Sequence, residues 1–176
     1  MSGTDIPDRA PDGASLLEPL IRRGVDFVVV GGFAGFAHGS NYPTYDLDIA
    51  YAPDHANVVR LVDGLREIGV HLRAPDNVPF QLEPRTIENG ANFTFTTPYG
   101  DFDVLADVGG VHSYEELKAA SVVTTIFGLD VRIASIDHLI AMKRAANRTK
   151  DKLMLEEYIV IAEEEGRAQL DEDSSP

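Results

Sequence analysis

Cysteine and tryptophan are both absent from this chain of 176 residues. The absence of cysteine excludes disulfides, thiolate metal sites and a cysteine nucleophile. Basic residues are also scarce, because 15 Lys and Arg stand against 29 Asp and Glu and give a net charge of −14. Such a charge repels phosphate backbones at long range, so we expect no binding to extended duplex nucleic acid. A cationic partner or substrate suits the overall charge better.

Long apolar runs are missing as well, which predicts that no segment spans a membrane and that the protein has no membrane partner. The start of the chain, residues 1–14, is polar and lacks the basic stretch and apolar core of a signal peptide. We therefore expect a cytoplasmic protein. Apolar residues make up 44% of the chain and charged residues 25%, which is ordinary for a globular domain and excludes a disordered or fibrous chain.

Hydrophobic patterning predicts an α/β (α+β) fold, a small mixed β-sheet flanked by helices with C-terminal helices on one side. We predict a flexible arm at 1–13, a single domain at 14–168 and an acidic disordered tail at 169–176. Helices are predicted at 14–23, 33–38, 54–68, 135–146 and 150–165, strands at 25–30, 44–51, 70–73, 91–96, 101–107, 122–127 and 129–133, and a loop at 75–84. The core is expected to include Phe33, Phe36, Phe93 and Phe95.

The segment from Val28 to Ile49 carries the clearest chemical signal. It predicts a strand, a turn at Gly31-Gly32, a short helix, a loop and a second strand that contains Asp46 and Asp48. Because side chains alternate along a strand, both carboxylates lie on one face, where they repel unless they are protonated or bridged by a cation. Mg²⁺ prefers such oxygen ligands together with substrate phosphates. The bare amides of the two glycines at a helix N-terminus suit phosphate oxygens.

A third carboxylate is expected from the strand that contains Asp101-Phe102-Asp103. Asp103 is the better candidate because it lies deeper in the apolar run, and it would either bind metal or accept the proton of an attacking hydroxyl. Plain alternatives remain, since strand-edge acids are often only solvated and glycine pairs often only form turns. His38 is expected to be a hydrogen-bonding residue at a helix end or facing the core rather than a catalyst, with a role in placing metal or substrate as the alternative. Together the acids and glycines favour metal-dependent nucleotidyl transfer from an NTP.

This ordered set resembles the nucleotidyltransferase superfamily with the polymerase-β-like core, and it looks most similar to the small bacterial AbiEii-type toxin nucleotidyltransferases. The resemblance covers roughly 27–158 and rests on Gly31-Gly32, His38-Gly39, Thr44, Asp46-x-Asp48, Asp103 after Tyr99-Gly100, Ile136 to Arg144 and Arg148 to Asp151. It implies a nucleotidyltransferase-like core with Mg²⁺ as cofactor and an NTP as substrate. It also implies that Asp46, Asp48 and Asp103 are catalytic and metal-binding, and that Gly31, Gly32 and Lys143 bind the nucleotide.

Two positions depart from the family pattern. The serine of the glycine-serine signature is missing at Gly31-Gly32, and Tyr42 stands where this group often has an Arg. The best replacement cations lie between Lys143 and Lys152, a segment that holds five of the 15 basic residues of the chain. This segment is either a solvated helix face or a phosphate-binding surface. The resemblance also places an acid at Asp151, which would orient a basic neighbour.

Three functions remain open at this point. The resemblance favours the toxin of a toxin–antitoxin pair that acts on RNA and is neutralised by a cognate antitoxin. The net charge favours adenylyl transfer to a small cationic molecule instead. The missing Ser and Arg favour a catalytically silent member of the family that acts as a binding or regulatory subunit.

Overall fold

A seven-stranded mixed sheet organises the part of the chain that the computed structural model describes, residues 10–75, 77–90, 92–149 and 151–173. The strands are β1 (Phe27–Val30), β2 (Asp46–Tyr51), β3 (His71–Leu72), β4 (Asn92–Thr97), β5 (Gly100–Leu105), β6 (Val122–Ile126) and β7 (Leu129–Ile133). The helices are α1 (Gly13–Arg22), α2 (Gly31–Ala37), α3 (His55–Ile68), α4 (Pro84–Asn89), α5 (Tyr114–Ala120), α6 (Ile136–Ala146) and α7 (Asp151–Asp173). The strand order is β3-β4-β5-β2-β1-β7-β6, which confirms the predicted fold class.

The two faces of the sheet differ around its centre. Leu47 and Ile49 of β2 and Phe102 of β5 are fully buried and join one core with the apolar residues of α1 and α3. The residues between them along the strands are acidic and point to the opposite face. The alternation in the sequence thus separates a packed face from a face that presents carboxylates.

Local sequence explains how the helices near that acidic face begin and end. Helix α2 starts at Gly31, directly after β1, in a left-handed conformation with φ 65°. Helix α6 is capped by the side chain of Ser135, which accepts a hydrogen bond from the backbone N–H of His138. It ends at Asn147 with φ 46°, and this left-handed residue turns the chain towards α7.

Two helices were missed by the sequence analysis, which assigned no element to 85–90 or 108–121. Helices α4 and α5 each bury a single apolar side chain, Ile87 and Leu117, and therefore leave no helical periodicity in the sequence. Helix α7 continues to Asp173, beyond the predicted end at residue 165 and into the predicted tail, of which 174–176 lie outside the described residues. Of the predicted arm, residues 1–9 also lie outside them. Among the described residues no helix is long and apolar enough to cross a membrane.

The end of the predicted arm contacts the domain. Asp12 caps α1, because its side chain accepts a hydrogen bond from the backbone N–H of Ser15 at 3.2 Å. Its own backbone N–H donates to the carbonyl of Tyr99 at 2.8 Å. Asp12, inside the predicted arm, therefore contacts the domain through both its side chain and its backbone.

One core prediction was wrong, because Phe36 is 64% exposed. Helix α2 instead buries Phe33 and Ala34, and it turns Gly35 towards Tyr158 of α7. The ring of Tyr158 is fully buried, and its hydroxyl lies so close to Gly35 that a Cβ there would overlap it. The absence of a side chain at position 35 thus allows α7 to pack against α2.

We expect Gly35→Ala to destabilise the protein by about 1–3 kcal/mol, because the added methyl group overlaps Tyr158. Gly166→Ala is the matched control, since it lies in α7 with nothing within 4 Å of its added Cβ, and helix propensity should stabilise it by about 0.5–1 kcal/mol. Urea denaturation measures both changes. Equal stability of Gly35→Ala and the wild type would contradict the packing argument.

The hydroxyl of Tyr158 gives a second test of the same contact. It is buried and makes no hydrogen bond to any other described residue. Tyr158→Phe is therefore expected to keep or raise the free energy of unfolding, because it removes a buried polar group without a partner. The same change should recover part of the stability that Gly35→Ala loses.

Candidate functional site

Three carboxylates meet on the acidic face of the sheet. Strands β2 and β5 are parallel neighbours, and their register pairs Asp46 with Asp101 and Asp48 with Asp103. One carboxylate oxygen each from Asp46, Asp48 and Asp103 lies within 4.8 Å of the other two. A single cation with metal–oxygen distances of about 2.1–2.5 Å can therefore contact all three. The structure thus brings together the three acids that the sequence singled out.

Burial and mutual repulsion make this cluster favour a proton or a cation. The pKa of Asp48 is raised to about 8, first by burial and then by the charges of Asp46 and Asp103, while Lys143 and Arg73 oppose the shift. The pKa of Asp103 is raised to about 6 by burial, although Arg73 counteracts it. A bound cation would neutralise the carboxylates and so remove the repulsion that raises their pKa values. Their chemistry, three oxygen donors of like charge, therefore fits Mg²⁺.

Gly31 places the start of α2 directly against Asp48. A Cβ at position 31 would overlap the Asp48 carboxylate, and the φ of 65° also favours glycine. Both features follow from the turn that joins β1 to α2. The amides at this turn and the acid cluster consequently lie side by side, as a phosphate bound to both would require.

Thr44 occupies the space beside Gly32. A Cβ at position 32 would lie 2.6 Å from Oγ1 of Thr44, so the serine of the family pattern would not fit here without movement. The Thr44 hydroxyl donates to the carbonyl oxygen of Asp46 at 3.0 Å and also lies 3.4 Å from its carboxylate. Thr44 therefore brings a hydroxyl to the turn that lacks the serine and holds the start of β2.

Sequence reasoning missed Arg73, which pairs with two acids of this face. Its guanidinium donates to Asp101 at 2.6 Å and to Asp103 at 2.8 Å. Arg73 follows the edge strand β3, and its backbone N–H bonds to Thr94 of β4, the residue opposite Asp103. The sequence shows Arg73 at the end of a predicted strand. Its pairing with Asp101 and Asp103 follows only from the strand order β3-β4-β5.

Replacing Arg73 tests whether it orients Asp103. We expect Arg73→Ala to lower Mg²⁺ affinity or transfer activity roughly 10–100-fold, the usual effect of removing a residue that orients a metal ligand. Without the guanidinium the pKa of Asp103 rises, so the acid limb of the pH–rate profile should move to higher pH. Arg73→Lys keeps the charge but not the two-pronged contact and should recover only part of the loss.

Binding of Mn²⁺ as a spectroscopic substitute for Mg²⁺ measures the first effect independently of turnover. Arg66→Ala is the control, because this exposed arginine pairs with Asp63 and the carbonyl of Leu82, away from the acids. Unchanged metal binding and an unchanged pH profile in Arg73→Ala would exclude the orienting role.

Lys143 is held by a buried acid. Asp151 is only 3% exposed and accepts from Nζ of Lys143 at 2.9 Å and from Nε of Arg148 at 2.7 Å. Burial alone would raise the pKa of Asp151, but these two hydrogen bonds lower it below its usual value. The positive charge of Lys143 also opposes the rise in the pKa of Asp48. The predicted pairing of Asp151 with a basic neighbour is confirmed.

Helix α7 fixes the segment between α2 and β2. Glu157 accepts hydrogen bonds from the hydroxyl of Ser40 at 2.7 Å and from the backbone N–H of Asn41 at 3.0 Å. His38, at the end of α2, contacts the carbonyl of Ala134 at 2.8 Å and Glu165 at 2.6 Å. His38 is thus a hydrogen-bonding residue, as expected from the sequence. It does not belong to the cluster formed by Asp46, Asp48 and Asp103.

Comparison with solved structures identifies the fold. No protein-family model matches the chain, and neither does a curated protein. The lincomycin-bound lincosamide antibiotic adenylyltransferase LnuA is similar with a TM-score of 0.60 and 12% identity, covering 85% of this chain and 96% of LnuA. The antibiotic-resistance factor ANT(2'')-Ia in solution gives 0.55 and 14% over 91% of this chain and 85% of the other.

A crystal structure of ANT(2'')-Ia in complex with adenylyl-2''-tobramycin also gives a TM-score of 0.55 at 14% identity, covering 89% of both chains. Identities this low establish the fold and nothing finer. The chain therefore has a nucleotidyltransferase fold. Antibiotic adenylyltransferases are among the proteins that share it.

Proposed function

We propose that this protein is a Mg²⁺-dependent nucleotidyltransferase that moves a nucleotidyl group from an NTP to an acceptor hydroxyl. The observation that carries the proposal is the group of three carboxylates packed against the glycine turn at the start of α2. Metal ligands and phosphate-binding amides are the two elements that this reaction needs side by side. The shared fold and the sequence resemblance support the same superfamily.

The roles of the residues follow from their positions. Asp46 and Asp48, with Asp103, would hold Mg²⁺, which supplies charge neutralisation for the triphosphate. The amides of Gly31 and Gly32 would bind the β- and γ-phosphates. The acceptor oxygen attacks the α-phosphorus, the bond to the β-phosphate oxygen breaks, and pyrophosphate leaves. Asp103 either completes the metal site or accepts the proton of the attacking hydroxyl, for which a pKa of about 6 is suitable.

A small molecule is the acceptor that the molecule's charge favours. The net charge of −14 attracts cations and repels RNA at long range. LnuA binds lincomycin in its crystal structure, and ANT(2'')-Ia binds adenylyl-2''-tobramycin in its own, so this fold accommodates small molecules in those proteins. We therefore place adenylyl transfer to a small cationic molecule first among the acceptor classes.

A toxin of a toxin–antitoxin pair is the second candidate function, because the sequence motifs look most similar to the AbiEii-type group. In that case RNA would be the acceptor, a cognate antitoxin would be the partner and the cytoplasm the location. The basic segment from Lys143 to Lys152 would then have to serve as the docking surface, against the overall charge.

Incubation with each labelled NTP and Mg²⁺ tests these alternatives, with tobramycin, lincomycin or total RNA as acceptor. Transfer that depends on Mg²⁺ and disappears in Asp48→Asn is expected, and the labelled product identifies the acceptor class. Nucleotide binding without transfer to any acceptor would instead indicate a silent binding or regulatory member. No binding of any NTP in the presence of Mg²⁺ would contradict the proposed function.

A further inference from the structure

Strand β6 forms one edge of the sheet, with β7 on one side and no described strand on the other. All of its residues are β-branched, and the chain carries no charge from Ala119 to Leu129. Val122 is 46% exposed and Val123 is 60% exposed. Exposed edge strands usually contain a charge, a proline or a bulge that prevents pairing with another strand, and β6 contains none of these.

The opposite edge of the sheet is built differently. Strand β3 has only two residues, and Arg73 and Pro75 follow it closely. Short length, charge and proline each hinder the addition of a further strand. Of the two edges of the described sheet, only β6 therefore offers an unprotected strand.

Two residues of β6 direct their backbone groups away from the sheet. The loop from β6 to β7 is Phe127-Gly128, and both residues have a positive φ, 54° and 75°, as in a type I′ turn. In such a hairpin the flanking residues, Ile126 and Leu129, are hydrogen-bonded to each other, and the pattern alternates along the strand. The N–H and C=O groups of Val123 and Thr125 consequently point outward, where another strand can bind them.

These outward groups fit a second copy of β6 in antiparallel orientation. A two-fold axis at Thr124 places Val123 opposite Thr125 of the second copy, so that each pair exchanges backbone hydrogen bonds. The same axis places Val122 opposite Ile126 of the second copy. An apolar side chain thus covers the exposed Val122.

The faces of the sheet also match across this axis. Val122 and Ile126 share a face with Val131 and Ile133 of β7, which are buried. Pairing of two copies therefore continues the apolar row of the core from one sheet into the other. The exposed face remains polar on both sides of the axis.

Charge selects a second copy as the occupant. On the exposed face β7 carries Arg132 opposite Val123 and Asp130 opposite Thr125. The two-fold axis brings Arg132 into the same cross-strand row as Asp130 of the second copy, so the flanking charges are of opposite sign. Because the chain has a net charge of −14, two copies repel over most of their surface, and the uncharged β6 lets them approach.

We propose that β6 is a docking surface for a second copy of this chain, which pairs antiparallel about Thr124 and joins the two sheets into one. One strand from each chain buries a small area, so the dimer is weak and reversible. The inference does not depend on the proposed function, because β6 contains none of the residues assigned to transfer. A strand from a different protein is the competing occupant.

Sedimentation velocity at increasing protein concentration measures the dimer. Association of the wild type should strengthen as NaCl is added, because salt screens the repulsion between two negative chains. Val123→Lys/Thr125→Lys should weaken the dimer roughly tenfold or more, since it places like charges opposite each other in the paired strands. This loss is expected even though the change makes the net charge of the chain less negative.

Val123→Glu/Thr125→Lys tests the register. Each new charge lies opposite an unlike charge, both on β7, at Arg132 and Asp130, and on the second copy. This variant should therefore associate at least as strongly as the wild type. The matched control is Val78→Lys/Val160→Lys, which adds two lysines at exposed valines outside β6 and should not weaken the dimer.

Circular dichroism verifies that the variants fold. Val123→Pro replaces the double lysine variant if that variant does not fold, because it removes an outward N–H at a position where an edge strand tolerates proline. A wild type that stays monomeric at every salt and protein concentration would overturn the proposal, and so would unchanged association of the lysine variant. Equal weakening by Val123→Glu/Thr125→Lys and Val123→Lys/Thr125→Lys would exclude self-pairing about Thr124 and leave a different protein as the occupant.

Discussion

Asp48→Asn is expected to abolish Mg²⁺-dependent transfer, with a loss of at least roughly 10²-fold, because it removes a charged ligand from the centre of the acid cluster. Asp46→Asn should have a similar effect on transfer. The same Asp48 change should stabilise the metal-free protein at neutral pH. At this pH the folded protein must keep a proton on Asp48 that the unfolded chain has lost, because burial and the two neighbouring carboxylates raise the pKa of Asp48 to about 8, and an amide avoids this cost.

The sign of the pH dependence follows from the pKa of Asp48, which is about 8 in the folded protein against the ordinary aspartate value of 3.8. Between these values the folded protein retains a proton that the unfolded chain has lost. The contribution of Asp48 to stability is therefore greatest below pH 3.8 and declines as pH rises towards 8. Melting temperatures of the wild type in a chelator should fall relative to those of Asp48→Asn across this range.

Addition of Mg²⁺ should reverse the difference, raising the melting temperature of the wild type but not that of Asp48→Asn. Asp107→Asn, an exposed acid after β5, is the control and should behave like the wild type in all of these measurements. Full transfer activity in Asp48→Asn, or parallel pH profiles of stability, would contradict the assignment of Asp48.

Gly31→Ala is expected to have the second-largest effect. The left-handed backbone alone costs an alanine about 1–2 kcal/mol. The added methyl group also overlaps the Asp48 carboxylate, so it displaces a metal ligand from the cluster. We therefore expect loss of transfer, weaker Mn²⁺ binding and a lower free energy of unfolding.

Gly24→Ala separates these two causes. Gly24 has nearly the same φ, 68° against 65° for Gly31, but nothing lies within 4 Å of its added Cβ. Gly24→Ala should lower the free energy of unfolding, because alanine is strained in the left-handed conformation, but it should leave Mn²⁺ binding and transfer unchanged. If Gly31→Ala and Gly24→Ala have equal effects on metal binding, the overlap with Asp48 is not what limits position 31.

The acid cluster could be predicted from the sequence because its parts are local. Asp46 and Asp48 share a face by strand alternation alone, and Asp103 repeats the same spacing in an apolar strand. Their meeting needed only that the two strands be neighbours, which the parallel pairing of β2 and β5 provides. The roles of Asp46, Asp48 and Asp103 in catalysis remain predictions.

The residues around the cluster depend on long-range packing and were harder to foresee. Arg73 reaches Asp103 only because β4 separates β3 from β5, an order that no local pattern encodes. Phe36 was placed in the core because it is aromatic, whereas α2 uses its small residue, Gly35, to contact α7. Helices α4 and α5 were missed because each buries one apolar side chain, and a single buried residue leaves no apolar stripe in the sequence.

The way α7 holds α2 also sets the order in which the site can be assembled during translation. The three acids are complete once Asp103 has been made, but the contacts to α2 and to the segment after it come from Glu157, Tyr158 and Glu165 of α7. A nascent chain therefore acquires its three acids long before α7 can hold α2. We expect an interrupted chain that lacks α7 to leave Lys143 without Asp151 and to have no nucleotide-binding competence, so that partial translation products are inactive.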